Sequence, residues 1–126
     1  MTLALIYDFD GTLSPGNMQE YDFIPAIGKG NREFWNNCNR MAEENDADPI
    51  LTYMNEMIRQ ATVNGVSLRR EAFAESGRKV ELYAGVESWF ERIDRYGEKK
   101  GIEVVHYINS SGLREMIEGT SIARHF

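Results

Sequence analysis

Cysteine is almost absent from this chain: Cys38 is the only one in 126 residues. No intrachain disulfide can form, and because Cys38 falls inside a helical pattern the expectation is a reduced packing residue in a cytoplasmic protein. Long apolar runs are missing as well. The longest near the N-terminus is Leu3 to Tyr7, with no basic residue ahead of it, far short of a signal peptide or a spanning helix. An excess of positive charge is also lacking. Fourteen Lys and Arg stand against twenty Asp and Glu, for a net charge of -6, and the cations are scattered apart from pairs such as Arg69-Arg70, Arg78-Lys79 and Lys99-Lys100. That balance argues against nucleic acid and against an anionic membrane as primary partners. There is no internal repeat and no low-complexity tract. What is present, 42% hydrophobic and 11% aromatic residues, suits one globular domain with its own core.

The chain divides into three parts. "LALIY" at 3–7 does not alternate, which predicts a strand buried on both faces of a parallel sheet. From about 14 to 82 the pattern is helical. Phe34, Trp35, Cys38, Met41 and Ala42 share one face of a helix that Asn31 is placed to cap. Asp48-Pro49 reads as an N-cap with proline in the first turn, and Ile50, Leu51, Met54, Met57, Ile58 and Ala61 make a stripe up to Asn64-Gly65. Ser67 is placed to start a third helix ending near Gly77. The last part returns to an α/β rhythm: a helix with Val86, Trp89, Phe90 and Ile93 closed by Lys99-Lys100-Gly101, a strand "IEVVHYI" at 102–108, the turn "NSSG", and a short helix stopped by Gly119. Ligands bind outside the carboxyl ends of parallel strands, and both the Asp8/Asp10 pair and the Ser110/Ser111 pair fall there.

Two carboxylates one residue apart at a strand end suit phosphoryl chemistry. The first can attack phosphorus, and the second, pointing to the same side of an extended chain, can manage protons. Gly11 allows the sharp turn that follows, and Thr12 offers a hydroxyl and an N–H beside it. Close carboxylates repel unless a cation offsets them, and Mg²⁺ is the hard cation that would bind such oxygens and screen a phosphate. Ser110, with the N–H groups of Ser111 and Gly112, is expected to open a helix and form an anion site. Plainer accounts exist for each: an Asx-turn for the aspartates, a turn hydroxyl for Thr12, a helix cap for Ser110 or Ser111. His106, in mid-strand, is expected to be satisfied within the core.

"DFDGTL" at 8–13, after an apolar strand, closely resembles the first motif of the haloacid dehalogenase-like hydrolase superfamily, and "VVHYINSSG" at 104–112 is similar to its second. The resemblance implies a fold and a domain division: an α/β, Rossmann-like core, incomplete here and with parallel strands, from residues 1–13 and 83–126, with an all-helical cap inserted at 14–82. It implies a Mg²⁺-dependent phosphatase acting on a small phosphorylated metabolite. Asp8 would be the nucleophile that forms an aspartyl-phosphate, and Asp10 the acid and then the base. Mg²⁺ would be held by the Asp8 carboxylate and the Asp10 backbone carbonyl, and Ser110 would bind a phosphoryl oxygen, with Ser111, Gly11 and Thr12 around it. A second aspartate also favours phosphate esters over halides, because an alkoxide leaving group needs a proton and a halide does not.

The family's later elements are not matched. After Ser110 there is no lysine, and the only acids are Glu115 and Glu118 on a predicted helix. The chain is therefore expected to be an N-terminal fragment or a shortened relative, with turnover weak or absent. The alternative is a non-catalytic phosphate-binding or regulatory module. With only two strands predicted, the first strand would leave an open edge, and self-association through it is expected.

Overall fold

The computed structural model describes residues 1–126. Its elements in chain order are β1 (Thr2–Tyr7), a 3₁₀ turn (Met18–Glu20), α1 (Phe23–Ala26), α2 (Asn31–Glu44), α3 (Pro49–Asn64), α4 (Arg70–Gly77), α5 (Val86–Lys99), β2 (Glu103–Ile108), α6 (Arg114–Gly119) and a 3₁₀ turn (Ala123–His125). The two strands pair in parallel, with Thr2 opposite Glu103 and Tyr7 opposite Ile108. All of the chain between them forms the crossover.

Local chemistry sets the ends of the longest helix. Asp48 Oδ1 accepts the Leu51 N–H at 2.9 Å, Pro49 occupies the first turn, and Gly65 closes the helix at φ 67°. An N-cap acceptor of this kind is worth about 1 kcal/mol. At α2 the expected cap is displaced by one residue: Gly30 takes the N-cap position without a side-chain bond, and Asn31 is already helical. The buried face of α3 also differs from the expected stripe. Tyr53, Glu56, Met57 and Ala61 are buried, whereas Leu51 and Ile58 are exposed. Glu56 is tolerated inside because Arg59, Gln60 and Asn37 all donate to its carboxylate.

The core is one cluster of 14 buried residues, from Phe9 and Leu13 through Phe34, Cys38 and Met57 to Phe90, Met116 and Ile122. It joins the strand-end segment to the helical insert. A second tie lies between α4 and α6, which pack closely. A Cβ on Gly77 would collide with the Met116 carbonyl, and one on Gly119 with the Ala74 carbonyl. The two glycines let backbone approach backbone in both directions.

The expected Rossmann-like core is corrected here. The chain forms six α-helices and a sheet of two strands, whereas a doubly wound core needs a wider parallel sheet covered by helices on both faces. Nor is β1 buried on both faces. Tyr7 packs edge-on against Phe90 of α5 at 5.6 Å between ring centroids, but Ile6 and its cross-strand partner Tyr107 remain 66% and 55% exposed. One face of the sheet has helical cover; the other meets solvent.

His106 is satisfied within the interior, as its mid-strand position predicts. Trp89 Nε1–H donates to the Tyr7 hydroxyl at 2.9 Å, Tyr7 Oη lies 2.9 Å from His106 Nδ1, and His106 Nε2 lies 2.9 Å from Asp94 Oδ1. The Asp94 carboxylate can only accept, so it selects the Nε2–H tautomer and leaves Nδ1 to accept from Tyr7. The relay locks β1, β2 and α5 together.

Candidate functional site

Phe9 separates the two aspartates and is fully buried in the core cluster. Its burial, worth up to about 3 kcal/mol, pins the segment with Asp8 facing solvent and Asp10 half-buried on the wall of a cleft. The turn that follows is held by its own backbone. Gly11 at φ 76° sends its N–H to the Ser14 carbonyl at 2.8 Å, and the N–H groups of Thr12, Leu13 and Ser14 all converge on the Phe9 carbonyl. The Gly11 and Thr12 N–H groups are thus committed within the turn, and both residues are exposed.

Asp10 carries the perturbed chemistry. Burial pushes its carboxyl up to about 6, reinforced by the charges of Asp8 and Glu20, while the Met18 N–H donating to Oδ1 at 2.9 Å pulls the other way. Tyr53 stands near it, its hydroxyl pushed up to about 12 by burial and by the Asp10 charge. The Tyr53 hydroxyl donates to the Ser111 carbonyl at 2.7 Å and so clamps the second loop to α3. Glu20, which the sequence alone did not place in a site, accepts from Asn17 Nδ2 at 2.8 Å and from Trp35 Nε1 at 2.7 Å.

The cleft has a volume of about 200 Å³ and is bounded by Asp10, Gln19, Trp35, Cys38, Tyr53 and Ser111, among others. Asp10 and Ser111 therefore meet the helical insert at this cleft, while Asp8 and Ser110 do not line it. The two serines part company. Ser111 lines this cleft, whereas Ser110 faces an adjoining groove of about 400 Å³ beside β2, with Tyr107, Ile117 and Phe126. The helix expected to open at these serines begins at Arg114. Ser110 Oγ instead accepts the Gly112 N–H at 3.0 Å, a serine turn ahead of the helix.

Cys38 also reaches the cleft wall, but burial and then the Glu56 charge raise its thiol to about 11. It remains a neutral packing group, not a nucleophile. Sequence periodicity placed Trp35 and Tyr53 on helices without showing that both face the cleft. Gln19 had no signal at all: a lone polar residue in a turn has no pattern from which burial can be read.

Hard carboxylate oxygens are the donor chemistry Mg²⁺ takes, and the mutual repulsion that helps raise Asp10 is what a divalent cation relieves. No group of three or more His, Cys, Asp or Glu side chains converges as a metal cage. The oxygens that would hold such an ion are the exposed Asp8 carboxylate and the Asp10 backbone carbonyl, with water and a ligand oxygen left to complete its shell.

No family model matches the chain, and no solved structure matches it. The Rossmann-like haloacid dehalogenase fold thus has no support from a known structure either. An uncharacterized protein of Borreliella burgdorferi is 32% identical over 133 aligned positions, covering 96% of this chain and 46% of the relative. The chain spans about half the length of that curated relative. No helix is long and apolar enough to cross a membrane.

Proposed function

We propose that the chain carries a phosphate-monoester hydrolase site of the haloacid dehalogenase-like type, with Asp8 as nucleophile and Asp10 as acid and base, working on a small phosphorylated metabolite in the cytoplasm. The observation that carries this reading is the Asp10 carboxyl, raised to about 6 on the wall of a cleft that also receives Ser111. A carboxyl poised there holds a proton at a pH where an exposed aspartate does not, as a general acid must. In the first half-reaction an Asp8 oxygen bonds to phosphorus while the ester P–O bond breaks, and the Asp10 proton passes to the leaving oxygen. In the second, the Asp10 carboxylate takes a proton from water as that water's oxygen displaces Asp8. Bound Mg²⁺ would neutralise phosphoryl charge beside Asp8. The residues bounding the cleft include no Lys, Arg or His to offset phosphoryl charge, so turnover by this chain is expected to be slow, and with so few protein ligands in place Mg²⁺ affinity is expected to be low.

The test is phosphate release from a panel of small phosphate monoesters with and without Mg²⁺. Slow, Mg²⁺-dependent release that Asp8→Asn abolishes and Asp10→Asn lowers about 100-fold supports a hydrolase. The competing outcome is a phosphate-binding module without turnover. It predicts saturable binding of inorganic phosphate with no release. Release that is undiminished in Asp8→Asn would remove the nucleophile assignment.

A further inference from the structure

The polar groups around the cleft are unevenly committed. Three of the donors are already spent: Tyr53 Oη–H on the Ser111 carbonyl, Trp35 Nε1–H and Asn17 Nδ2–H on Glu20. An acceptor is left over. Gln19 is 1% exposed, bounds the cleft, and its Oε1 has no hydrogen-bond partner. A buried amide oxygen left unpaired is costly, and the terminal torsion of glutamine is soft enough to turn it towards an incoming group. The neighbouring charges, Asp10 in the wall and Asp8 and Glu20 close enough to raise it, are all negative.

We propose that this cleft is a binding subsite for a short polyol or amino-alcohol group, neutral or cationic, and that Gln19 is its specificity-determining residue, accepting an O–H or N–H from the ligand. Resting on the phosphatase reading, this group is the leaving-group half of the substrate. The volume, about 200 Å³, lies below the roughly 300–1,000 Å³ of drug-sized pockets, so a three-carbon chain suits it and a nucleoside does not. A second anionic group is rejected by the carboxylates, and a bare alkyl group leaves Gln19 Oε1 unpaired.

The experiment titrates the isotope-labelled 126-residue chain, in Mg²⁺, with inorganic phosphate, glycerol 3-phosphate, propyl phosphate and 3-phosphoglycerate, following the Gln19 side-chain amide and the Trp35 indole. Glycerol 3-phosphate is expected to bind at least about 5-fold more tightly than propyl phosphate, the effect of one satisfied hydrogen bond, and more tightly than 3-phosphoglycerate. Gln19→Leu should erase the preference over propyl phosphate while inorganic phosphate binds as before. The wild-type ligand series stands even if that variant fails to fold. Equal affinities for the three esters overturn the subsite and leave the phosphate site intact. If neither inorganic phosphate nor any ester binds, the phosphatase reading falls, and glycerol against 1-propanol then decides the subsite. Perturbation of Gln19 and Trp35 by glycerol alone sustains it; no difference between the two overturns it.

Discussion

The helical body and the two-stranded sheet solve the same problem of burial to very different extents. In the body, Phe34, Met57, Ala61, Phe90 and Met116 are enclosed, and paired glycines bring α4 and α6 into backbone contact. In the sheet, Leu3, Ile6 and Tyr107 stay exposed and both outer edges are unpaired. Yet β1 delivers the aspartates and β2 leads into the serines. The parts that carry the proposed chemistry hang from the weaker element and are steadied by the stronger one, through Phe9 in the core and Tyr53 on the Ser111 carbonyl. A site can therefore be positioned by helices that supply none of its reacting atoms.

The largest expected effect breaks the body. Gly77→Ala places a methyl group on the Met116 carbonyl, and because both elements are backbone the collision cannot be relieved by a rotamer change. A loss of about 3 kcal/mol or more is expected, read as a lowered urea midpoint, and Gly119→Ala should match it. Wild-type stability in either variant would mean that α4 and α6 do not meet as described.

Next in size is the contrast itself. Native-state hydrogen exchange should show the amides bonded across β1 and β2 opening at least about 100-fold more readily than those around Met57 and Ala61, because a two-stranded sheet has little cooperative support. Equal protection would abolish the distinction between the two regions.

Asp10→Asn sharpens it at the junction. The Asp10 carboxyl holds its proton more tightly folded than unfolded, about 6 against 3.8. Folding therefore takes up a proton between those values, stability falls as pH rises through that window, and the cost is complete above it. Discounted for partial solvent screening, it comes to about 1 kcal/mol. The variant keeps an acceptor for the Met18 N–H and should be more stable than wild type by that amount at pH 8, with the gap closing by pH 4. A pH-independent difference in urea unfolding would contradict the burial of this carboxyl.

The smallest effect concerns the open side of the sheet. Self-association through the free β1 edge, with Ile6 beside it at 66% exposure, should appear as concentration-dependent sedimentation. Ile6→Lys should weaken it about 3-fold, through a lost apolar contact and a charge placed at a strand edge. A strictly monomeric wild-type chain would set this aside.

Features that depend on a few consecutive residues were legible in the sequence. Asp48, Pro49 and Gly65 bound α3 because capping is settled within one helical turn, and the apolar runs of β1 and β2 mark strands wherever they end up. The aspartate pair and the glycine turn after it could be placed for the same reason. Periodicity could not choose which side of α3 faces inward, since Ile50, Leu51 and Ile58 are as apolar as Met57. The inward side was decided by what lay opposite, including the partners that make Glu56 tolerable. Tertiary structure alone separated Ser111 from Ser110, turned Gln19 into the cleft wall and left one face of the sheet bare. Each of those outcomes depends on contacts between segments far apart in the chain, and burial there reflects which surfaces meet, not the character of the residues that carry them.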